Sequence, residues 1–321
     1  MRNAEVDGEA LQPLSGVHFA EWGAQWLSQL ERRKSTVDSY RSTIAYASDA
    51  FGDVWMRNVG PTDVAHLSHG LKRRGLSEAT TAKHLRVLSA CFASAVEHGI
   101  VEANPIKRLR PVDRPRSERR EAACFSSDEL RGLFAELPEG LCETLFMLAL
   151  KTGLRQSELL GLRWKDVDLA GGCIRVLHSF IGGATDTPED HGSREVGLPA
   201  DLVVLLGGWR GECGRPGGAH LVFPGRGRGG QLAPSTLNRR MLYPALRRAG
   251  IPRRRPPGEN RTFHSLRHTF AKHALESGRP LTWLSHHLGH SSVKVTSDAY
   301  GQWDATDPRW EVRQMDGVFG V

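Results

Sequence analysis

Three short stretches of the 321-residue chain carry side chains suited to chemistry on an anionic ester. Thr152-Gly153-Leu154-Arg155-Gln156-Ser157-Glu158 holds one arginine. His264-Ser265-Leu266-Arg267 holds a second, three positions after a histidine. Leu288-Gly289-His290 holds another histidine, and Tyr300 follows it by ten positions. A phosphodiester repels nucleophiles, so attack on it needs fixed donors for the charge that builds on its oxygens. Arginine is always charged and offers forked donors to two oxygens. Arg155 and Arg267, with His264 and His290 as further donors, would make such an anion hole. A phenol is a fitting nucleophile for a reversible transfer, because its phosphodiester keeps the bond's free energy available for rejoining. Chemistry of this kind calls for no cofactor, metal or nucleotide.

Singly, each stretch is a weak signal. Their order and spacing closely resemble the tyrosine recombinase (phage integrase) family, whose signature is an early Arg, an H-x-x-R, an L-G-H and a terminal Tyr. The resemblance spans the second half of the chain; the preceding part is similar to the family's core-binding domain by pattern alone. It implies a site-specific DNA recombinase or integrase that works on double-stranded DNA as a homotetramer bridging two sites. It also implies that Tyr300 attacks the scissile phosphate, leaving a 3′-phosphotyrosyl enzyme and a free 5′-hydroxyl. His264 would be general base or donor, His290 would meet a non-bridging oxygen, and Glu158 could orient a catalytic residue. In the family the segment after the tyrosine docks on a neighbour; Trp303, Trp310 and Val312 could do that here or pack on their own domain. Two alternatives stay open: relaxation of the type IB topoisomerase kind, and a DNA-binding homologue that has lost catalysis.

One departure bears on that last alternative. The family places a lysine in a β-hairpin loop between the first Arg and H-x-x-R, as general acid to the leaving 5′-oxygen. The matching stretch, Thr187 to Arg194, has Glu189 at that position, and no lysine occurs from Leu169 to Pro199. A carboxylate there would repel the phosphate. His191 or Arg194 could supply the proton, and His191 is the better acid near neutrality.

These side chains need elements to hold them. Phe19, Trp22, Trp26, Leu27 and Leu30 recur at helical spacing. A second helix capped by Ser35 continues through Val37, Tyr40, Ile44 and Phe51. A third starts at Pro61, and a fourth opens near Ser77. Residues 14–112 therefore read as a helical core-binding domain. Residues 113–124 read as a basic linker, and 125–321 as the catalytic domain. In the latter, Ser126 or Ser127 caps a helix, a further helix runs into Thr152-Gly153, and Cys173–Phe180 pairs with Glu195–Leu198 as strands. The expected class is mainly α, α+β: a helical domain followed by a mostly helical one with a small antiparallel sheet. Too few residues precede the first helix for an extra folded domain.

The formal charge is +7, and its distribution is more informative than its sum. Lys107, Arg108, Arg110 and Arg114 crowd one segment. Arg239 and Arg240, then Arg247 to Arg261, crowd another; both are candidates for phosphate contact. His264 and His268 stand four apart, as do His286 and His290, yet neither pair has the Glu of H-E-x-x-H, so metal ligation is not favoured. Five scattered cysteines fit reduced thiols and a cytoplasmic location. No apolar run is long enough to span a membrane.

Overall fold

The computed structural model describes residues 16–32, 34–116, 122–177, 179–181, 184–186, 193–225, 230–255 and 259–304. Its chain divides into two compact units, residues 1–119 and 120–321, and the class is mainly α, α+β.

The first unit is built from α1 (Phe19–Ser28), α2 (Lys34–Phe51), α3 (Pro61–Arg73) and α4 (Glu78–Glu97). Apolar residues at i, i+3 and i+4 turn one face of each helix inward. Phe19, Trp22, Leu71, Leu88 and Phe92 accordingly form a solvent-free core. Trp22 can be buried because its indole N–H donates to the Cys91 carbonyl at 3.3 Å. Ser77 caps α4 by accepting from the Thr80 backbone N–H. Ser35 is not the cap of α2: the helix already includes Lys34.

The second unit opens with α5 (Ser127–Ala135), capped by Ser126 with Glu129 reaching back to the Ser126 N–H. Helices α6 (Leu141–Thr152) and α7 (Gln156–Gly161) follow. A three-stranded antiparallel sheet comes next, with β1 (Val167–Asp168) on one edge of β2 (Cys173–Val176). Strands β3 (Ser179–Ile181) and β4 (Ala184–Asp186) form a separate ribbon, and β5 (Arg194–Gly197) returns to pair with β2. The pairing sets Val176 opposite Arg194, so the chain leaving β2 comes back at Arg194. After α8 (Ala200–Glu212), α9 (Pro234–Thr236) runs through a π-helical segment, Leu237–Leu242, into α10 (Tyr243–Arg248). A short hairpin, β6 (Arg254–Arg255) and β7 (Glu259–Asn260), precedes α11 (His264–Glu276), α12 (Leu281–Leu288) and α13 (Val293–Tyr300). The core joins α6, α7, the sheet and α8, including Phe146, Trp164, Ile174 and Leu206. A smaller cluster of Ala271, Leu275, Leu284, Leu288 and Tyr300 locks the last three helices together.

Candidate active site

The site is made from the ends of helices. α6 stops at Gly153, whose left-handed φ of +64° favours glycine, and α12 stops at Gly289 in the same conformation. A Cβ at position 153 would come within 2.6 Å of the Phe270 ring. The last carbonyls of a helix have no partner inside it and form the negative end of its dipole. Here they face guanidinium groups. Arg267 donates from Nη1 to the Gly153 carbonyl and from Nη2 to that of Leu288, both at 2.8 Å. Arg155 donates from Nη2 to the next carbonyl, Gly289, at 2.7 Å. Arg155 and Arg267, 112 residues apart in sequence, thus hang on consecutive peptide groups. Arg267 is 2% exposed, and burial with Arg155 close by lowers its pKa to about 10, which still leaves it cationic at neutral pH.

Arg155 is the N-cap of α7, and Glu158 one turn on accepts from its backbone N–H at 2.8 Å and its Nη1 at 3.0 Å. Glu158 is 6% exposed. Burial alone would raise its pKa, but hydrogen bonds and charge from Arg194, then Arg155, overcome this and hold it below the usual carboxylate value. Arg194, the first residue of β5, grips both Glu158 oxygens at 2.8 and 2.9 Å and donates from Nε to the His287 carbonyl. With three N–H groups engaged, Arg194 braces the site from behind. Glu189 and His191 lie outside the described residues.

His290 follows directly from the α12 stop. Its Nε2 lies 2.9 Å from Arg267 Nη2 and its Nδ1 2.7 Å from Thr296 Oγ1. His264 begins α11 on an exposed edge, with His268 one turn on and their rings edge to face at 4.6 Å. Burial, then the charges of Arg267 and Arg155, lower the His264 pKa to about 4, although solvent on its open edge softens that shift. His268 is pushed to about 3 by burial and then by His264 and Arg267.

Tyr300 is the last residue of α13 and 2% exposed. Its ring stacks between His290 at 6.2 Å and Trp303 at 5.7 Å, and its hydroxyl lies 2.8 Å from His268 Nδ1. Burial raises the phenol pKa against the opposing pull of Arg267. In the sequence His268 stands out only as a metal-ligand candidate and Thr296 not at all; the i, i+4 spacings to His264 and Tyr300 are the available signals. Trp310 and Val312 lie outside the described residues.

The basic clusters divide on inspection. Lys107, Arg108, Arg114, Arg239 and Arg240 are exposed, and Arg110 is exposed but paired with Asp113 at 2.8 Å. Arg248 pairs with Glu136. Arg261 does not belong with phosphate-facing residues at all: it is 1% exposed and pairs with Glu129 at 2.7 Å.

Comparison with known proteins agrees with this geometry. The Phage integrase family matches residues 126–306, more than half of the chain, and a Phage integrase SAM-like domain matches residues 18–110. The tyrosine recombinase XerC of Xanthomonas campestris pv. campestris is 31% identical over 282 residues, 84% of this chain and 79% of that one. XerC of Xylella fastidiosa is 31% identical over 271 residues, covering 81% and 84%. In fold, the Tn1549 transposon integrase solved with a circular intermediate DNA superposes with a TM-score of 0.78 at 18% identity, over 94% of this chain and all of that one. The lambda integrase tetramer bound to a Holliday junction gives 0.68 at 20% identity, covering 86% and 78%. Fold and relatives together define an enzyme that breaks and rejoins DNA, a site-specific recombinase. The chain belongs to the phage integrase family of tyrosine recombinases.

Proposed function

We propose that this recombinase cleaves double-stranded DNA through Tyr300, forming a 3′-phosphotyrosyl link and releasing a 5′-hydroxyl, with Arg155, Arg267, His264 and His290 around the scissile phosphate. The observation that carries the reading is the suspension of Arg155 and Arg267 from the adjacent carbonyls of Gly289 and Leu288, with His290 against Arg267 and stacked on the Tyr300 ring. Two guanidiniums fixed side by side stabilise charge on phosphate oxygens without reorganising during the reaction. The Tyr300 hydroxyl is covered in this arrangement, so the last turn of α13 must open enough to part it from His268 before attack. His191 protonates the leaving 5′-oxygen in place of the family's lysine. Residues 14–112 bind the core site, 113–124 link it to the catalytic domain 125–321, and Lys107, Arg108, Arg110, Arg114, Arg239 and Arg240 contact backbone phosphates. The working assembly is a homotetramer on two sites, acting in the cytoplasm without metal or nucleotide; the lambda integrase bound to a Holliday junction is likewise a tetramer.

Covalent trapping tests this. The full chain is incubated with sheared DNA from its source organism, denatured in detergent, and the protein-linked DNA is recovered. An adduct that disappears in Tyr300→Phe is expected, and the recovered fragment, cloned twice in one plasmid, should support exchange between its copies. An adduct that persists without the phenol, or no adduct at all, overturns the reading. Relaxation without exchange would point to topoisomerase-like activity instead.

A further inference from the structure

Thr296 is fully buried and lies one turn before Tyr300 on α13, so the two side chains share the inward face of that helix. Its Oγ1 is 2.7 Å from His290 Nδ1, while the other ring nitrogen, Nε2, is 2.9 Å from Arg267 Nη2. A guanidinium donates and has no acceptor. Nε2 must therefore accept from Arg267, which makes the ring neutral and puts its proton on Nδ1. Thr296 receives that proton's hydrogen bond. Arg267, which can only donate, thus makes Nε2 the accepting nitrogen, and the Thr296 hydroxyl takes the Nδ1 proton and holds the ring at that angle.

We propose that Thr296 is a positioning residue for strand cleavage: by accepting the Nδ1 proton it fixes the His290 ring, so that Nε2 stays on Arg267 and orients that guanidinium for the scissile phosphate. The proposal rests on the reading that Arg267 and His290 bind that phosphate. The placement has a mechanical consequence. Thr296 and Tyr300 ride on one helix, so docking of the helix that delivers the phenol also sets the histidine of the anion hole. A hole assembled without its nucleophile would have a freely turning His290, and Arg267 Nη2 would lose an acceptor. Opening only the last turn of α13 frees the Tyr300 hydroxyl while leaving Thr296 against His290.

Two measurements test it, and the first uses no DNA. Nitrogen-15 spectra of histidine-labelled full chain, with His290 assigned through His290→Gln, should show a proton on Nδ1 and an unprotonated Nε2. Thr296→Val keeps the shape and removes the hydroxyl, so the His290 Nδ1–H signal should shift and broaden as its hydrogen bond is lost; Thr296→Ser should restore it. A wild-type His290 carrying its proton on Nε2 overturns the proposal, whatever the variants do. The second measurement is single-turnover cleavage of the DNA fragment recovered by trapping. Thr296→Val should slow cleavage at least about tenfold with DNA affinity little changed, since a misoriented Arg267 guanidinium costs the transition state more than binding. Thr296→Ser should recover most of the rate. Equal slowing by valine and serine, with the wild-type Nδ1–H signal kept in both, would make Thr296 a packing residue and overturn the proposal. Failure of the wild-type chain to form any adduct strikes the functional reading, whereas the tautomer result stands on its own.

Discussion

Replacing Arg194 with alanine should be among the most destabilising single changes near the site, and its cost follows from the geometry. Glu158 is buried, and Arg194, itself only 12% exposed at its side chain, holds both carboxylate oxygens. Removing one partner of a buried pair costs about 3–5 kcal/mol, mostly because the other charge is left behind. Glu158 would keep Arg155, at 3.0 Å through Nη1 and 2.8 Å through the backbone. The lower end therefore applies, about 3 kcal/mol. For a unit of this size 1 kcal/mol corresponds to about 2–4 °C in Tm, giving a fall of about 6–12 °C. The assay is thermal unfolding of the full chain, run as a double-mutant cycle with Glu158→Gln, which retains the shape but not the charge. On that background Arg194→Ala should cost roughly 2 kcal/mol less. The sign with pH follows. The folded pKa of Glu158 is depressed, so its stabilisation is present above the unfolded value of about 4.3 and is lost as pH falls through the lower folded value. The variant should lose part of that acid slope. A cost under about 1 kcal/mol, or an equal cost with and without the Glu158 charge, would refute the bracing argument.

Gly289→Ala should destabilise the unit by more than about 1 kcal/mol, because φ is +64° and a Cβ would meet Arg194 Nη1 at 2.7 Å; chemical denaturation measures it. His268 has its folded pKa lowered to about 3, so the stability linked to its neutral ring is complete above about 6.5 and lost as pH falls toward about 3. His268→Gln should flatten the pH dependence of unfolding across that window; an unchanged slope would count against the buried neutral ring. Finally, His191→Ala should slow cleavage of the trapped fragment, and a sulfur in place of the bridging 5′-oxygen should restore the rate. Arg194→Ala should show no such rescue, since its guanidinium is engaged with Glu158; rescue of Arg194→Ala alone would exchange the two roles.

Local signals carried far in the sequence. Ser77 and Ser126 stand before helices that their hydroxyls cap, and Cys173 and Gly197 pair at the far end of strands foreseen from β-branched residues. The candidate arginines and histidines are visible because motif spacing records helix ends. Long-range pairing was not visible. Arg261 reads as one more basic residue in a basic run, and only the fold brings Glu129, 132 positions away, against it. The role of Thr296 depends on three distances at once: its helix phase with Tyr300, its reach to His290, and the reach of His290 to Arg267. The strand expected over Cys173–Phe180 is divided: only Cys173–Val176 pairs with β5, while Phe180 pairs with Thr185 in the separate ribbon, and β1 and β4 are too short for alternation to register.

The glycines of the T-G and L-G-H stretches gain a physical meaning from the arginines they face. Bringing two guanidiniums close enough to share one phosphate is opposed by their mutual repulsion in a low-dielectric site. A carboxylate for each would relieve the repulsion and also neutralise the charge the phosphate needs. Helix carbonyls, those of Gly153, Leu288 and Gly289, hold both guanidiniums as partial charges, and Arg155 alone of the two also meets a carboxylate, Glu158 at 3.0 Å. Among the described residues the one full negative charge beside them, Glu158, is gripped twice by Arg194. Three guanidiniums against one carboxylate leave a net charge of +2, concentrated on the two arginines that hang from helix ends. Arg194 thus keeps Arg155 available: without it, Glu158 would satisfy itself on Arg155 and draw that guanidinium away from any anion in front of it.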